Sequence, residues 1–251
     1  MEQKISIKNL NVSIGKNHIL KNISLEIPPN QITVILGPSG CGKTTLMKCL
    51  NRLIDLEENA AISGSILLDH QDILNTRSGL PEIRKKMGLL SQRPYPLPMN
   101  IFDNIAYGMR INGTRNRNVL REKVTHYLKQ VNLWEEVKDR LKEPASSLSI
   151  GQQQRLCLAR GLAVEPEIIL ADEPTSSLDP LSSAAIEKKF IQLKEDYTIV
   201  MVTHILRQAK RMADYVIFMY LGEVIECGKA DQFFSDPQQE KTKEYIMGTF
   251  N

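Results

Sequence analysis

Three short stretches of this chain carry residue types suited to handling a phosphorylated ligand. The first, Gly37-Pro38-Ser39-Gly40-Cys41-Gly42-Lys43-Thr44-Thr45, fits the spacing GxxxxGK[ST]. Its glycines let successive backbone N–H groups turn toward one anion, and a helix starting just after them adds a favourable dipole. Lys43 brings a point charge, and the Thr44 hydroxyl can ligate Mg²⁺. The second, Ile168-Ile169-Leu170-Ala171-Asp172-Glu173, delivers two carboxylates at the end of an apolar run. Ligands bind at that end of the strands in open α/β sheets. Asp172 can hold Mg²⁺ through water, and Glu173, beside the metal but not on it, can orient or deprotonate an attacking water. The third is Leu148-Ser149-Ile150-Gly151-Gln152-Gln153-Gln154-Arg155, a serine and a glycine opening an amphipathic helix with Leu156, Ala159, Leu162 and Ala163 on one face. Taken alone it reads as an ordinary N-cap, and its helix end offers a second place for an anion.

The surrounding pattern supplies elements to position these groups. Ile5, Ile7, Val12, Ile14, Ile19, Ile23, Leu25 and Ile27 alternate as short strands broken at Gly15-Lys16-Asn17, which predicts an antiparallel opening sheet. Ile32 to Leu36 is a β-branched run leading into the glycine-rich stretch, and Lys43 to Asn51 can form the helix after it, with Leu46 and Leu50 on one face. From Ser91 to Val164 helical stretches dominate, among them Arg117 to Val131 and Gly151 to Val164, separated by Pro94, Pro96, Pro98 and Pro144. Strands and helices then alternate: Ile168 to Ala171, a helix from Pro180 to Glu195, strand Thr198 to Val202, a helix near Ile205 to Met212, and strand Val216 to Tyr220. Asp179-Pro180 suits the start of the first of these helices, with Asp capping and Pro at the first helical position. The tail from Gly228 to Asn251, with Phe233, Phe234, Tyr245 and Ile246, predicts a pair of packing helices and no regulatory domain.

Composition narrows the class. A chain of 251 residues can bury a substantial core, and 42% apolar with 24% charged residues is ordinary for a globular fold. Thirty-two basic against 29 acidic residues leave a net charge of +3, far short of a nucleic-acid-binding stripe. The longest apolar runs, such as Tyr215 to Leu221, fall well below the ~20 residues of a spanning helix. Met1-Glu2-Gln3-Lys4 opens an alternating strand and not a signal-peptide core, so the expectation is a soluble chain working in the cytoplasm. Cys41, Cys49, Cys157 and Cys227 lack CxxC spacing and nearby His partners, which favours reduced, packed thiols over a metal site.

Over essentially its whole length the chain resembles the ATP-binding subunits of ABC transporters. Gly37 to Thr45 are similar to that family's Walker A loop, Gln92 to its Q-loop glutamine, and Leu148 to Gln152 to its LSGGQ signature. Asp172-Glu173 resemble its Walker B end, Ser177-Leu178-Asp179 its D-loop, and His204 its switch histidine, all in the family's order. The resemblance implies an α/β fold: a P-loop ATPase core with a mainly parallel sheet, an antiparallel N-terminal β subdomain and an inserted helical subdomain. It implies a single domain over 1–251, with core and β subdomain in 1–90 and 165–251 and the helical subdomain in 91–164. ATP and Mg²⁺ are the implied ligands. They would be bound by Gly37, Pro38, Ser39, Gly40, Cys41, Gly42, Lys43, Thr44 and Thr45 of one copy and by Ser149, Gly151, Gln152 and Asp179 of its twin, in a head-to-tail homodimer. Thr44, Gln92 and Asp172 would serve the metal, and Glu173, His204, Gln92 and Lys43 the hydrolysis. Two departures stand out. Ile150 occupies the usual first signature glycine, altering close backbone approach to an opposing nucleotide. Ile14 stands where an aromatic residue commonly stacks on adenine, which weakens base stacking.

Within that family the chain is most similar to the phosphate-import ATPases. The likeness rests on the proline-rich stretch Gln92-Arg93-Pro94-Tyr95-Pro96-Leu97-Pro98-Met99-Asn100-Ile101-Phe102-Asp103-Asn104-Ile105-Ala106-Tyr107-Gly108, supported by Leu133 to Leu141, Gln152 to Arg160 and Phe218 to Glu223. The resemblance implies a peripheral subunit on the cytoplasmic face of the cell membrane. Its partners would be two transmembrane permease subunits and, indirectly, an extracytoplasmic solute-binding protein. Tyr95 and Leu97 on an extended proline-rich backbone suit docking against a partner helix. Rival expectations are an importer ATPase for another solute, a soluble ABC ATPase acting on nucleic acid, and a regulatory module that binds ATP without hydrolysing it.

Overall fold

The computed structural model describes residues 3–75 and 79–249; the opening Met1-Glu2 and the last two residues of the tail lie outside the described residues. In chain order the elements are β1 (Ile5–Ile14), β2 (Asn17–Ile27), β3 (Ile32–Leu36), α1 (Lys43–Leu50), β4 (Ala60–Leu68), β5 (Gln71–Asp72), α2 (Leu80–Lys86), β6 (Met87–Leu90), α3 (Ile101–Ile111) and α4 (Arg117–Gln130). There follow α5 (Trp134–Val137), α6 (Ile150–Leu162), β7 (Ile168–Asp172), α7 (Pro180–Leu193), β8 (Thr198–Val202), α8 (Leu206–Met212), β9 (Tyr215–Tyr220), β10 (Glu223–Lys229), α9 (Ala230–Ser235) and α10 (Glu240–Met247). The chain divides into two compact units, Met1–Arg84 with Leu193–Asn251, and Lys85–Gln192. Among the described residues no helix is long and apolar enough to cross a membrane.

The first unit holds the expected antiparallel opening sheet, in the order β2-β1-β4-β5. Ile5, Ile7, Leu10 and Val12 of β1 are buried, and the alternation skips a beat where Asn9 takes a φ of 49° and the register shifts between Ile7 and Leu10. A second sheet runs β10-β9-β3-β8, with β3 parallel to β8 and β9, and β10 antiparallel on β9. Every residue of β3 and β8 is buried, as a parallel strand covered on both faces must be. The Asp214 carboxylate accepts from Ile32 N at 2.9 Å and from Lys194 Nζ at 2.7 Å, fixing the start of β3. The tail forms α9 and α10 as expected, and Tyr245 of α10 stacks on Phe218 of β9 with ring centroids 4.8 Å apart.

In the second unit β6 and β7 pair in parallel, Met87 opposite Ile168 through Leu90 opposite Ala171. Helices α3 to α7 make up most of the rest, and α6 buries Leu156, Leu158, Ala159 and Leu162. The proline-rich stretch at 94–98 is not a free loop. Asn104, fully buried on α3, accepts from Leu97 N at 2.8 Å and donates Nδ2 to the carbonyls of Leu97, Met99 and Asn100 at 3.2, 3.2 and 3.0 Å. Prolines supply no N–H, so a side-chain amide does the bonding that a regular element would otherwise do. The expected helices at Arg117, Gly151, Pro180 and Ile205 form within one or two residues of their expected ends, whereas β4, β6 and β10 have no counterpart in the sequence reading.

Asn104→Ala strands several backbone groups at once and should cost about 2–4 kcal/mol in denaturant unfolding; a loss of only a few tenths would mean that the stretch holds itself.

Candidate functional site

In the first unit, β3 feeds directly into the glycine-rich loop and α1 leaves it. Gly37 has a φ of 150°, and a Cβ there would lie 2.2 Å from the carbonyl oxygen of Met219 on β9. The β9–β10 turn supports the loop again where Gly222 N donates to the Cys41 carbonyl at 3.1 Å, while the Gly222 carbonyl accepts from Lys21 N at 2.8 Å. Lys43 is buried, with Nζ donating to the carbonyls of Gly37 at 2.7 Å and Pro38 at 2.8 Å. The backbone N–H groups of Gly42, Thr44 and Thr45 donate to no backbone carbonyl among the described residues, while that of Lys43 hydrogen-bonds the Cys41 sulfur. Three open backbone donors and one ammonium fit the phosphates of a nucleotide, and the exposed Thr44 hydroxyl fits a metal riding on them. Burial pushes the Cys41 thiol up despite the opposing charge of Lys43, so it stays protonated and packs as an apolar group. Burial, with Asp55 adding to it, pushes Cys49 up to about 12. All four cysteines are free thiols, and only Cys227 is exposed.

His204 follows β8 and is exposed. The buried Thr203 before it donates Oγ1 to Gln208 Oε1 at 2.7 Å and accepts from Ile205 N at 3.1 Å, which clamps α8 onto the strand end and fixes the backbone of His204. Ile14 ends β1 half-buried, opposite Asn17 and Ala60.

In the second unit, β7 ends at Asp172, and Glu173 turns out of the strand with a φ of 44°. A left-handed conformation costs a glutamate roughly 1 kcal/mol. It is held because the Glu173 carbonyl accepts from both Ser176 N and Ser176 Oγ at 3.1 Å. Gln92 Nε2 donates to Glu173 Oε2 at 3.2 Å, so the expected metal-sensing amide and the expected base meet directly. The start of α6 is a capping box: Gln152 N donates to Ser149 Oγ at 3.3 Å and Ser149 N to Gln152 Oε1 at 3.0 Å. Gln152 Nε2 in turn donates to Glu136 at 2.8 Å, and Arg155 grips the same carboxylate with two bonds of 2.6 and 3.1 Å. Partial burial pushes the Glu136 carboxyl up, but Arg155 and Gln152 outweigh it and hold it below the usual carboxylate range. A Cβ on Gly151 would lie 2.8 Å from Ser182 Oγ, so only glycine lets α6 and the first turn of α7 approach this closely. Asp179 caps α7 by accepting from Leu181 N at 3.0 Å and Ser182 N at 3.1 Å, and the hydrogen bonds from Ser182 hold its carboxyl below the usual range. Ile150 points outward, 54% exposed.

A match to the ABC transporter family spans residues 20–176. The chain belongs to the ABC transporter family. It is 49% identical over 249 residues to the phosphate import ATP-binding protein PstB 1 of Bacillus licheniformis, covering 99% of this chain and 96% of that protein. The phosphate import ATP-binding protein PstB of Cytophaga hutchinsonii is 47% identical over 247 residues, 98% of this chain and 99% of its own length. Among solved structures, cbiO1 of Clostridium perfringens, part of the ABC transporter complex cbiONQ, superposes with a TM-score of 0.82 at 27% identity, over 94% of this chain and 92% of that one. An ABC ATPase fold thus accounts for both the antiparallel and the mainly parallel sheet.

Lys43, Thr44 and His204 lie in the first unit; Gln92, Ser149, Gly151, Gln152, Asp172, Glu173 and Asp179 lie in the second. Gly222 and Thr203 support site residues of the first unit and Glu136 and Gln154 those of the second, and no motif marks these supporting roles in the sequence. A Leu-Gly pair between two strand runs was a legible turn signal for Gly222. The partners of Glu136 and Gln154 are distant in sequence and left no local mark.

Gly37→Ala must displace either the loop or β9, and should abolish nucleotide binding by equilibrium dialysis while lowering the unfolding midpoint. Because the folded Glu136 carboxyl lies below its unfolded value, its bonds stabilise above the ordinary carboxylate range and are lost as pH falls through the folded value. Stability from about pH 6 to about pH 3 should therefore fall less steeply in Glu136→Gln than in the parent.

Proposed function

We propose that the chain is the ATP-hydrolysing subunit of an ABC importer for inorganic phosphate, working as a head-to-tail homodimer on the cytoplasmic face of the membrane. The observation that carries the hydrolytic part is the Glu173 carboxylate, set in a left-handed turn at the end of β7 and hydrogen-bonded by Gln92. In this reading the N–H groups of Gly42, Thr44 and Thr45 and the Lys43 ammonium take the β- and γ-phosphates in place of the carbonyls of Gly37 and Pro38. Thr44, Asp172 through water, and Gln92 would hold Mg²⁺. When bound, the metal would supply charge neutralisation to the phosphates. Glu173 orients and deprotonates the attacking water, and His204 clamps the γ-phosphate as a polar group. The twin copy brings Ser149, Gly151, Gln152 and Asp179 from the tips of α6 and α7. Two anion-binding helix ends facing one γ-phosphate neutralise charge only when the copies close, so ATP acts as the glue and hydrolysis releases it.

Phosphate as the solute is supported by near-full-length similarity to two phosphate import ATP-binding proteins. The partners that follow are two transmembrane permease subunits and, at one remove, an extracytoplasmic solute-binding protein. Exposed Tyr95, Tyr107 and Ile111 beside the pinned proline-rich stretch suit the docking of a permease helix. A nucleic-acid-acting ATPase is disfavoured by the weak net charge of +3.

Glu173→Gln should trap an ATP-loaded dimer by size-exclusion chromatography and cut turnover by about 100-fold or more. Lys43→Ala should weaken ATP binding itself. Near-parental turnover in Glu173→Gln would sink the assignment of the base. The solute assignment is tested by phosphate uptake with the co-purified permease, and fails if that complex transports a different solute.

A further inference from the structure

Gln154 lies on α6 with no solvent exposure. Its Nε2 donates to the Ser91 carbonyl at 3.2 Å and to the Pro174 carbonyl at 3.0 Å. Ser91 precedes Gln92 and Pro174 follows Glu173, the two residues joined by the 3.2 Å contact between Gln92 Nε2 and Glu173 Oε2. One amide therefore holds, through the backbone, both residues that flank the proposed water site.

The rest of the side chain is not arranged for stability. With Nε2 turned to two carbonyls, Oε1 is buried and has no partner among the described residues. An orphaned buried acceptor weighs against the folded state, and an apolar side chain of equal volume would avoid it. What the amide supplies is two bonds to two different turns from a third element. Gln154 follows Ser149 by five positions, a rise of about 7.5 Å along the helix from the tip that carries Ser149 and Gly151.

We propose that Gln154 is a positioning residue for hydrolysis, setting the spacing of Gln92 and Glu173 and tying both to the helix whose tip meets the opposing nucleotide. A shift of α6 on engagement of Ser149 then reaches Glu173 as a rigid displacement, and the base adopts its working position only in the closed pair. This rests on the reading of Glu173 as the group that activates water.

The test is steady-state ATPase kinetics of the full chain carrying Gln154→Leu and, as the unbranched shape-keeping variant, Gln154→Met, beside the parent and Glu173→Gln. Both Gln154 variants should lose roughly tenfold or more in kcat, the size of effect expected when the bonds that position two site residues are lost. The KM for ATP should stay within about twofold, because no nucleotide contact is removed. The thermal midpoint should fall by no more than a few degrees, since the unpaired Oε1 is removed as the Ser91 and Pro174 carbonyls lose their donor. Parental kcat in a folded Gln154→Met protein, or a kcat loss accompanied by equal losses in ATP affinity and thermal midpoint, overturns the proposal. If Glu173→Gln itself hydrolyses ATP like the parent, the reading of the base fails first; if it is inactive while Gln154→Met is not, only the role of Gln154 fails.

Discussion

The structure turns on backbone N–H groups that the fold leaves without partners. Gly42, Thr44 and Thr45 present theirs at the start of α1, where no earlier carbonyl of the helix reaches them, and the buried Lys43 ammonium sits in the same loop. Unpaired donors at a helix end are costly unless an anion or water takes them. Much of the first unit serves to keep them aimed: buried β3 delivers the chain, β9 closes in behind Gly37, and the β9–β10 turn fastens Cys41. The Lys43 ammonium donates to the Gly37 and Pro38 carbonyls of its own loop, which ties the loop together from within.

The second unit is organised by one helix. At its tip α6 carries the capping box that orients Ser149, steadied by Glu136 and Arg155. One and a half turns along, Gln154 reaches the turns of Gln92 and Glu173, and further on Arg160 donates to the Tyr95 carbonyl at 3.0 Å and to Asn104 at 3.3 Å. A single rigid rod thus touches the signature tip, the carboxylate turn and the proline-rich stretch. Packed elements move as bodies and do not bend smoothly, so groups fixed to one rod shift together.

Much of this was legible in the residues, and the reason differs from part to part. The buried runs of β3, β7 and β8 announce themselves because a strand covered on both faces has no polar alternation to obscure it. Helices such as α4 and α7 carry their own caps, Asn116 and Asp179. By contrast β4 opens with exposed Ala61, Ser63 and Gly64, and β10 alternates around charged Glu223, Glu226 and Lys229, so neither shows a clear apolar face; both form because β1 and β9 offer an edge. The residues whose type and spacing suit a phosphorylated ligand, from Gly37 to Thr45 and Asp172 with Glu173, are visible in the sequence. Those that act through others, such as Gln154 and Glu136, are not, because a glutamine or glutamate on a helix face looks solvated until its distant partner is known.

Behind the glycine-rich loop, both contacts that shape it are made by main chain: the Met219 carbonyl against Gly37 and the Gly222 amide on the Cys41 carbonyl. The loop itself therefore asks for the alignment of that strand and for no particular side chain, while the core asks only that Val216 to Met219 stay apolar. An insertion or deletion of one residue between β8 and the β9–β10 turn would be a different matter, since it would slide a carbonyl out of place and put an amide where none fits. Relatives should accordingly vary in spelling along β9 while holding its length constant.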